Sequence, residues 1–250
     1  LDDVYLQVRD AMRRGVTSVH MDQPLLDAGQ LLQEQNRSSM PVVDSANKVH
    51  GIVANEDFAK LFFNDLDPRA VNRIPLQRDN LVHVLKGRVL VEGRRKLGNR
   101  ILVAAMEADT MTDYIEQGCL VVIGDREDAQ LLAIEHGAAA LVVTGDLLVS
   151  ERTLTAARQH GVMVISTGHH TFTTIRLINL SARVQDIMNR EFSYCHPEDH
   201  ISEIQSTVAR RRSMTVVNSD GKLVGYITRS DLINARPKRV ILVDHNEQSQ

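Results

Sequence analysis

The sequence predicts a mixed α/β fold, in which two small α+β modules flank an α/β domain built on a parallel sheet. Three observations lead to this prediction. Blocks near the start of the chain recur in the same order near its end, each copy carries a β-hairpin pattern, and the segment between the copies alternates apolar strands with amphipathic helices. The length of 250 residues suits about two domains.

The repeat defines the two outer modules. Its blocks share apolar residues at matched positions, and the last block ends on an aspartate in both copies. The blocks at 8–12, 40–44 and 51–57 recur at 184–188, 214–218 and 225–231. Because three blocks match in one order, we expect the two segments to fold alike.

Each copy predicts the order β-α-β-β-α, after a short helix that ends near Met12 or Met188. A pair such as Asp220–Gly221 between two apolar runs is a strong hairpin signal. The closing helices are predicted to begin at Asp57 and Asp231. The predicted strands are 17–20, 41–44 and 49–53 in the first copy, and 192–195, 215–218 and 223–227 in the second.

The segment between the copies, residues 64–181, is too long for a linker. From about Asp113 near-continuous apolar runs alternate with helical patterns, which indicates a parallel sheet covered on both faces. Ser150 is placed to cap a helix, and Gly161 follows a helix where a C-terminal glycine belongs. Residues 65–78 are polar and are predicted as a connection. The predicted strands are 118–123, 138–143 and 162–165, and the predicted helices are 127–136 and 151–160.

The composition excludes several classes of function. A net charge of −3 and 4% aromatic residues, with no tryptophan, argue against a nucleic-acid partner. Cys119 and Cys195 make neither a disulfide framework nor a zinc set, and they suit a reducing cytoplasm. No apolar run approaches a membrane span, so no membrane partner is expected. The chain starts at Leu1 instead of methionine, which suggests a piece of a longer protein.

The end of the second copy resembles the nucleotide signature of the CBS domain. Its Gly225, Thr228, Ser230 and Asp231 match that signature. The resemblance implies tandem modules that pack by their sheets into a Bateman-type unit, with clefts for adenosine nucleotides between them.

The first copy departs from this signature. Ala54 stands where the threonine belongs and Glu56 where the serine or threonine belongs, although Asp57 is kept. The departure leaves open whether the first copy binds a nucleotide.

Three loops of the middle segment resemble the DRTGG domain. They contain Gly124-Asp125-Arg126, Thr144-Gly145 and the run 166–174, and Asp146 replaces the second glycine of the family's pair. The fold implied is therefore an α+β CBS pair interrupted by an α/β, parallel-sheet DRTGG domain. This order resembles the regulatory insert of family II inorganic pyrophosphatases.

That resemblance implies regulation by adenine nucleotides, with AMP and ADP as inhibitors and ATP or diadenosine polyphosphates as activators. The run 239–247 is similar to a strand of the DHH phosphoesterase core, in which Asp244 would bind Mn²⁺ or Co²⁺ in the intact enzyme. The other ligand sets of that core are absent from the sequence, so it predicts no complete two-metal site. The expected domains are a CBS module at 1–63, the connection and DRTGG domain at 64–181, a CBS module at 182–236, and a stub of the catalytic core at 237–250.

The nucleotide chemistry points to particular side chains. A carboxylate at the start of a helix can accept hydrogen bonds from both ribose hydroxyls, which suits Asp231 and Asp57. The phosphates need cations, and the second copy offers Arg229 with the run 210–212. Two copies that face each other would bring Asn36 and Arg37 towards Arg229. The full predicted nucleotide site is Asn36, Arg37, Ser38, Asp57, Arg210, Arg212, Met214, Thr228, Arg229 and Asp231.

Plainer interpretations exist for each feature. Arginines at a helix end are usually solvated and suit the helix dipole, and Asp231 could simply cap a helix. His169–His170 on a strand would point to opposite faces, so a structural role is favoured over a metal site. Thr171, Thr173 and Thr174 lack a Walker glycine loop, and Cys195–His196 shows no nucleophile arrangement.

Three hypotheses for function follow. The first is a regulatory nucleotide sensor that acts on catalytic domains of its own chain and forms a homodimer. The second is a dimerisation module with non-functional nucleotide clefts. The third is an active pyrophosphatase, which would need the complete metal site.

Overall fold

The computed structural model of the chain describes residues 6–64, 75–211 and 213–235. The first copy of the repeat contains α1 (Val8–Ala11), β1 (Val19–His20), α2 (Leu25–Glu34), β2 (Ser39–Val43), β3 (Val49–Ala54) and α3 (Asn55–Asn64). The middle segment contains α4 (Arg78–Leu85), β4 (Arg88–Val91), β5 (Ile101–Val103), α5 (Ala108–Thr112), β6 (Leu120–Ile123), α6 (Glu127–Glu135), β7 (Ala140–Val143), α7 (Glu151–His160), β8 (Met163–Ser166) and α8 (Thr171–Asn179). The second copy contains α9 (Val184–Ile187), β9 (Tyr194–Cys195), α10 (Ile201–Arg211), β10 (Ser213–Val217), β11 (Leu223–Thr228) and α11 (Arg229–Asn234).

Both copies have the predicted order β-α-β-β-α, and their sheets run β1-β2-β3 and β11-β10-β9. In the second sheet β10 is antiparallel to β11 and parallel to β9. The predicted starts of the closing helices were wrong. The helices α3 and α11 begin at Asn55 and Arg229, because the capping position lies upstream of each aspartate, which falls in the first helical turn.

The middle segment forms a sheet with the order β4-β8-β7-β6-β5. The predicted parallel sheet is confirmed for β5, β6, β7 and β8, whereas β4 is an antiparallel strand at the edge. Alternate residues face opposite cores: Val121 packs on one face of the sheet and Leu120 on the other. Ser150 caps α7 as predicted, because its hydroxyl accepts a hydrogen bond from the Thr153 N–H at 3.1 Å.

The chain divides into two compact units. One combines 1–18 and 43–50 with 191–250, and the other combines 19–42 with 51–190. Each unit therefore takes its residues from both copies of the repeat. Among the described residues, no helix has both the length and the apolar character needed to cross a bilayer.

The first helix of each copy packs against the sheet of the other copy. In the first unit, Val8 of α1 and Met12 at its C-terminal end lie in a core with Val208, Met214 and Ile227 of the second copy. In the second unit, α9 does the same with residues of the first copy. That core joins Val184 and Met188 to Val19, Leu25, Leu32, Met40 and Val53. The sequence did not predict this exchange of helices.

Candidate functional site

The start of α11 carries the candidate site of the second copy. Thr228 is the N-cap of the helix and Asp231 is its third residue, so the two form a capping box. The backbone N–H and the hydroxyl of Thr228 donate to Asp231 Oδ2 over 2.9 and 2.6 Å, and the Asp231 N–H donates to the Thr228 hydroxyl at 3.4 Å. The interpretation of Asp231 as the N-cap was wrong: the N-cap is Thr228, and Asp231 contributes to the capping box from the third position of the helix.

The second oxygen of the Asp231 carboxylate is held by an arginine from the exchanged segment. Arg13 Nε donates to Asp231 Oδ1 over 2.7 Å, and the side chains of Arg13 and Asp231 are 58% and 11% exposed. Partial burial tends to raise the pKa of Asp231, but hydrogen bonds from Thr228 and Arg13 outweigh it and lower that pKa below its usual value. The carboxylate is thus ionised at neutral pH.

Two of the arginines predicted to hold phosphates, Arg210 and Arg229, lie around the C-terminal end of α10. Arg229 is exposed, and its Nη2 donates to the carbonyl oxygen of Ala209. Arg210 and Arg211 are exposed in the last turn of α10, where a positive charge also suits the helix dipole. Arg212 lies outside the described residues.

Met214 has a different setting from the other predicted contacts. Its side chain is 4% exposed and packs in the hydrophobic core with Val8 and Val208. The strand β10 pairs Met214 with Ile227. The Met214 side chain is therefore part of the core, and any contact between this residue and a ligand would have to be made by its backbone.

The corresponding turn of the first copy is simpler. The Ala54 N–H donates to Asp57 Oδ2 over 2.9 Å, and Lys60 Nζ lies 3.6 Å from Asp57 Oδ1. Ala54 cannot supply the hydroxyl hydrogen bond that Thr228 gives in the second copy. Asp57 is nevertheless buried, with 9% of its surface exposed. The first copy therefore keeps the carboxylate and its backbone hydrogen bond, but it lacks the hydroxyl hydrogen bond.

The segment 36–38 connects α2 to β2 and forms a hydrogen bond with the start of α3. Asn36 adopts the left-handed conformation with φ +48°, which closes the helix, and the Arg37 N–H donates to the Leu32 carbonyl over 2.9 Å. The Ser38 carbonyl accepts a hydrogen bond from the Asn55 N–H at 3.1 Å. The structure therefore places Ser38 beside the first turn of α3, which also carries Asp57.

The arginine of the DRTGG pattern has a structural contact. Arg126 donates from Nη1 to the Met106 carbonyl over 2.8 Å, and from Nη2 to the Ala104 carbonyl over 2.6 Å. Both acceptors lie in the segment between β5 and α5. Arg126 therefore fixes that segment to the start of α6.

The remaining DRTGG residues join the loops after β7 and β8. The Gly145 N–H donates to the His169 carbonyl over 2.9 Å, and the Asp146 N–H donates to the Thr167 carbonyl over 3.0 Å. Asp146 has φ +52°, in the left-handed region that favours the glycine it replaces. These contacts hold the two loops together at the carboxyl edge of the sheet.

The expectation that His169–His170 lies on a strand was wrong. Both residues lie between β8 and α8, and His170 is the N-cap of α8. The three threonines that follow open α8, and Thr171 Oγ1 lies 3.2 Å from Thr144 Oγ1. In the part of the chain that the structure describes, no cluster of three or more His, Cys, Asp or Glu side chains is arranged to hold a metal. Asp244 lies outside that part.

Sequence reasoning did not include Arg13 in the candidate site. The repeat contained a signal, since Arg13 stands where the second copy has the uncharged Asn189. The position becomes informative only when α1 is known to pack on the second sheet. There the Arg13 N–H donates to the Tyr226 carbonyl over 2.9 Å, and the Tyr226 N–H donates to the Arg13 carbonyl over 3.0 Å.

Two domain families match the chain. The CBS domain matches residues 8–64 and 184–238, and the DRTGG domain matches residues 80–181. These ranges cover both copies of the repeat and most of the segment between them.

Two curated relatives are inorganic pyrophosphatases. The chain is 28% identical over 255 residues to the cobalt-dependent inorganic pyrophosphatase of Clostridium perfringens. The alignment covers 100% of this chain and 46% of that protein. It is 30% identical over 249 residues to the probable manganese-dependent inorganic pyrophosphatase of Thermotoga maritima. That alignment covers 97% of this chain and 45% of that protein. The chain spans less than half the length of these relatives.

A solved structure has the same fold. It contains the CBS and DRTGG domains of the regulatory region of Clostridium perfringens pyrophosphatase, complexed with the activator diadenosine tetraphosphate. The match has a TM-score of 0.82 at 24% identity and covers 90% of this chain and 100% of that one. The chain therefore contains CBS and DRTGG domains in the order CBS–DRTGG–CBS, and its fold is similar to that of the regulatory region of the Clostridium perfringens pyrophosphatase.

Proposed function

We propose that this chain binds adenine nucleotides and that the binding regulates a manganese- or cobalt-dependent inorganic pyrophosphatase. The observation that supports it most is the carboxylate of Asp231. It is ionised, held by Thr228 in the first turn of α11, and accompanied by exposed arginines of the same unit. A ribose offers two vicinal hydroxyls to such a carboxylate, and its phosphates need cations.

The proposed ligands are AMP and ADP as inhibitors, and ATP or diadenosine polyphosphates as activators. The relative of known structure binds diadenosine tetraphosphate as an activator, which supports the second half of this assignment. The proposed contacts remain those of the sequence prediction: Asn36, Arg37, Ser38, Asp57, Arg210, Arg212, Met214, Thr228, Arg229 and Asp231.

A nucleotide can regulate only by binding one of two arrangements of the CBS modules more tightly than the other. To move a population from 1:99 to 99:1, the difference must be roughly 5.5 kcal/mol. We propose that the partners are catalytic domains of the same polypeptide, which hold the Mn²⁺ or Co²⁺, and a second copy of the chain in a cytoplasmic homodimer. This chain alone is proposed to be non-catalytic.

A dimerisation module without functional clefts is the second candidate. It is favoured in the first copy by Ala54, which cannot give Asp57 the hydrogen bond that Thr228 gives Asp231. A single nucleotide per chain, bound at the second copy, would combine the two interpretations.

Calorimetric titration with AMP, ADP, ATP and diadenosine tetraphosphate tests the proposal. We expect binding that Asp231→Asn weakens by about tenfold or more, since a charge-assisted hydrogen bond contributes roughly 1.5–3 kcal/mol. Asp220→Asn is the matched control, because it removes the same charge from an exposed turn of the same copy. Equal affinity of both variants would contradict the assigned site, and no heat with any nucleotide would favour the dimerisation module.

A titration of the single variant Asp57→Asn shows which of the two copies binds the nucleotide. A loss of affinity in Asp231→Asn alone assigns the nucleotide to the second copy. Sedimentation of the chain tests the homodimer. Release of phosphate from pyrophosphate by the purified chain with Mn²⁺ would contradict the proposal that it is non-catalytic.

A further inference from the structure

The pair between Arg13 and Asp231 bears directly on the carboxylate that the proposed function assigns to ribose. Arg13 Nε and Asp231 Oδ1 are 2.7 Å apart, and Thr228 occupies the other oxygen. The Arg13 backbone is fixed on both sides by its hydrogen bonds to Tyr226, so its side chain starts from a defined point beside α11. More than half of that side chain is exposed, and its guanidinium can move without disturbing the core.

The first copy lacks this arrangement. Asn189 occupies the position equivalent to Arg13, and its backbone pairs with Ile52 in the same way, over 2.9 and 3.0 Å. The cation near Asp57 comes instead from its own helix, where Lys60 Nζ lies 3.6 Å from Asp57 Oδ1. An arginine brought in by the exchanged segment is therefore a feature of the second copy.

We propose that Arg13 is a specificity-determining residue that selects nucleotides over nucleosides at Asp231. This inference rests on the proposed function. A nucleoside offers hydroxyls to Asp231 and must separate the carboxylate from Arg13 without giving the guanidinium a new partner. A nucleotide gives that guanidinium a phosphate, which it can bind through two parallel hydrogen bonds. Arg13, once separated from Asp231, is then paired with the phosphate.

The strengths of these contacts set the direction of the effect. An exposed ion pair is weak, and its separation costs a ligand about two- to fivefold in affinity. A charge-assisted contact between arginine and phosphate is stronger and corresponds to about tenfold or more. Arg13 therefore opposes nucleosides and assists nucleotides.

The proposal is tested by calorimetric titration with adenosine and with AMP. The proteins titrated are the wild type, Arg13→Gln and Arg14→Gln. Arg14→Gln is the control because it removes the same charge from the next residue, which is exposed. In Arg13→Gln we expect adenosine to bind about two- to fivefold more tightly and AMP to bind at least two- to fivefold more weakly. The ratio of the two affinities should narrow by about tenfold, while Arg14→Gln keeps the wild-type ratio.

An unchanged ratio in Arg13→Gln, or an equal loss of both ligands, would overturn the role of Arg13. If adenosine binding is too weak to measure in all three proteins, the AMP affinity alone tests the proposal. An AMP affinity in Arg13→Gln equal to that of the wild type overturns the proposal. A loss of AMP affinity in Arg13→Gln that Arg14→Gln does not show supports it. Failure of the proposed function looks different. In that case the wild type binds no AMP, or Asp231→Asn binds AMP as the wild type does.

Discussion

Gly225 lies so close to Met12 that a Cβ atom on the glycine would be 2.8 Å from the Met12 sulfur. The same Cβ would be 3.0 Å from the carbonyl oxygen of Arg13. Gly51 has the equivalent place in the first copy, where a Cβ would be 2.7 Å from the Asn189 carbonyl oxygen. The glycine of the CBS pattern thus lets the exchanged segment reach the sheet, and in the second copy it allows Arg13 to pair with Tyr226.

Gly225→Ala is therefore expected to destabilise the protein. The added methyl group meets backbone as well as a side chain, and overpacking of this kind costs about 1–3 kcal/mol in free energy of unfolding. Urea unfolding of the wild type and Gly225→Ala measures this loss of stability. Gly124→Ala is the control, because its nearest neighbour would be 3.6 Å away and the change should stay within about 0.5 kcal/mol. If both variants unfold at the wild-type midpoint, the close approach at Gly225 is not as described.

Ala54→Thr is expected to stabilise the first copy. Ala54 directly precedes α3 and its N–H already donates to Asp57 Oδ2, so a threonine there can complete the capping box that Thr228 forms with Asp231. A threonine cap is worth about 1 kcal/mol relative to alanine. Denaturant unfolding should show a gain in Ala54→Thr and a loss of similar size in Thr228→Ala. A loss in both variants would show that the turn before α3 cannot accept the hydroxyl.

The sequence predicted the modules better than their assembly. Apolar periodicity and the Asp220–Gly221 turn describe local structure, and they predicted the strands and helices of both copies. The packing of α1 against the second sheet depends on contacts between residues far apart in sequence, which local patterns do not contain. Arg13 was missed for that reason. The short elements between 78 and 112 were missed because no apolar period is long enough there to be recognised.

Arg126→Ala is expected to loosen the DRTGG domain without changing nucleotide affinity. The substitution removes two hydrogen bonds from a charged donor to the Ala104 and Met106 carbonyls, and we expect a loss of about 1–2 kcal/mol in free energy of unfolding. Calorimetric unfolding and AMP titration of the same samples measure both quantities. Arg152→Ala, at an exposed position on α7, is the control and should be neutral. A change in AMP affinity in Arg126→Ala would give this arginine a regulatory role.

Asp146 offers a test of backbone conformation. With φ at +52°, an alanine at this position costs about 1–2 kcal/mol, whereas a glycine accepts the conformation freely. We expect Asp146→Ala to lower the thermal midpoint and Asp146→Gly to keep it close to that of the wild type. If both variants lose the same stability, the carboxylate matters more than the backbone.

Asp44 and His50 provide a test by pH. His50 Nε2 lies 2.8 Å from Asp44 Oδ2, and the hydrogen bond from His50, followed by that from the Lys48 N–H, lowers the pKa of Asp44 to about 2. The pKa is lower in the folded state than the unfolded value of 3.8, so ionised Asp44 adds stability above about pH 4. That contribution is lost as the pH falls from about 4 towards 2.

Asp44→Asn isolates the charge, because the second copy shows what asparagine does at this position. Asn218 Oδ1 accepts from the Asp220 and Lys222 N–H groups, as Asp44 Oδ1 accepts from the Ala46 and Lys48 N–H groups. The turn should survive the substitution, and only the interaction with His50 should weaken. We expect Asp44→Asn to be less stable than the wild type at pH 6, with the difference shrinking as the pH falls below 4. A difference that is constant from pH 6 to pH 3 would mean that asparagine disturbs the turn itself, and the charge of Asp44 would then have no part in its stability.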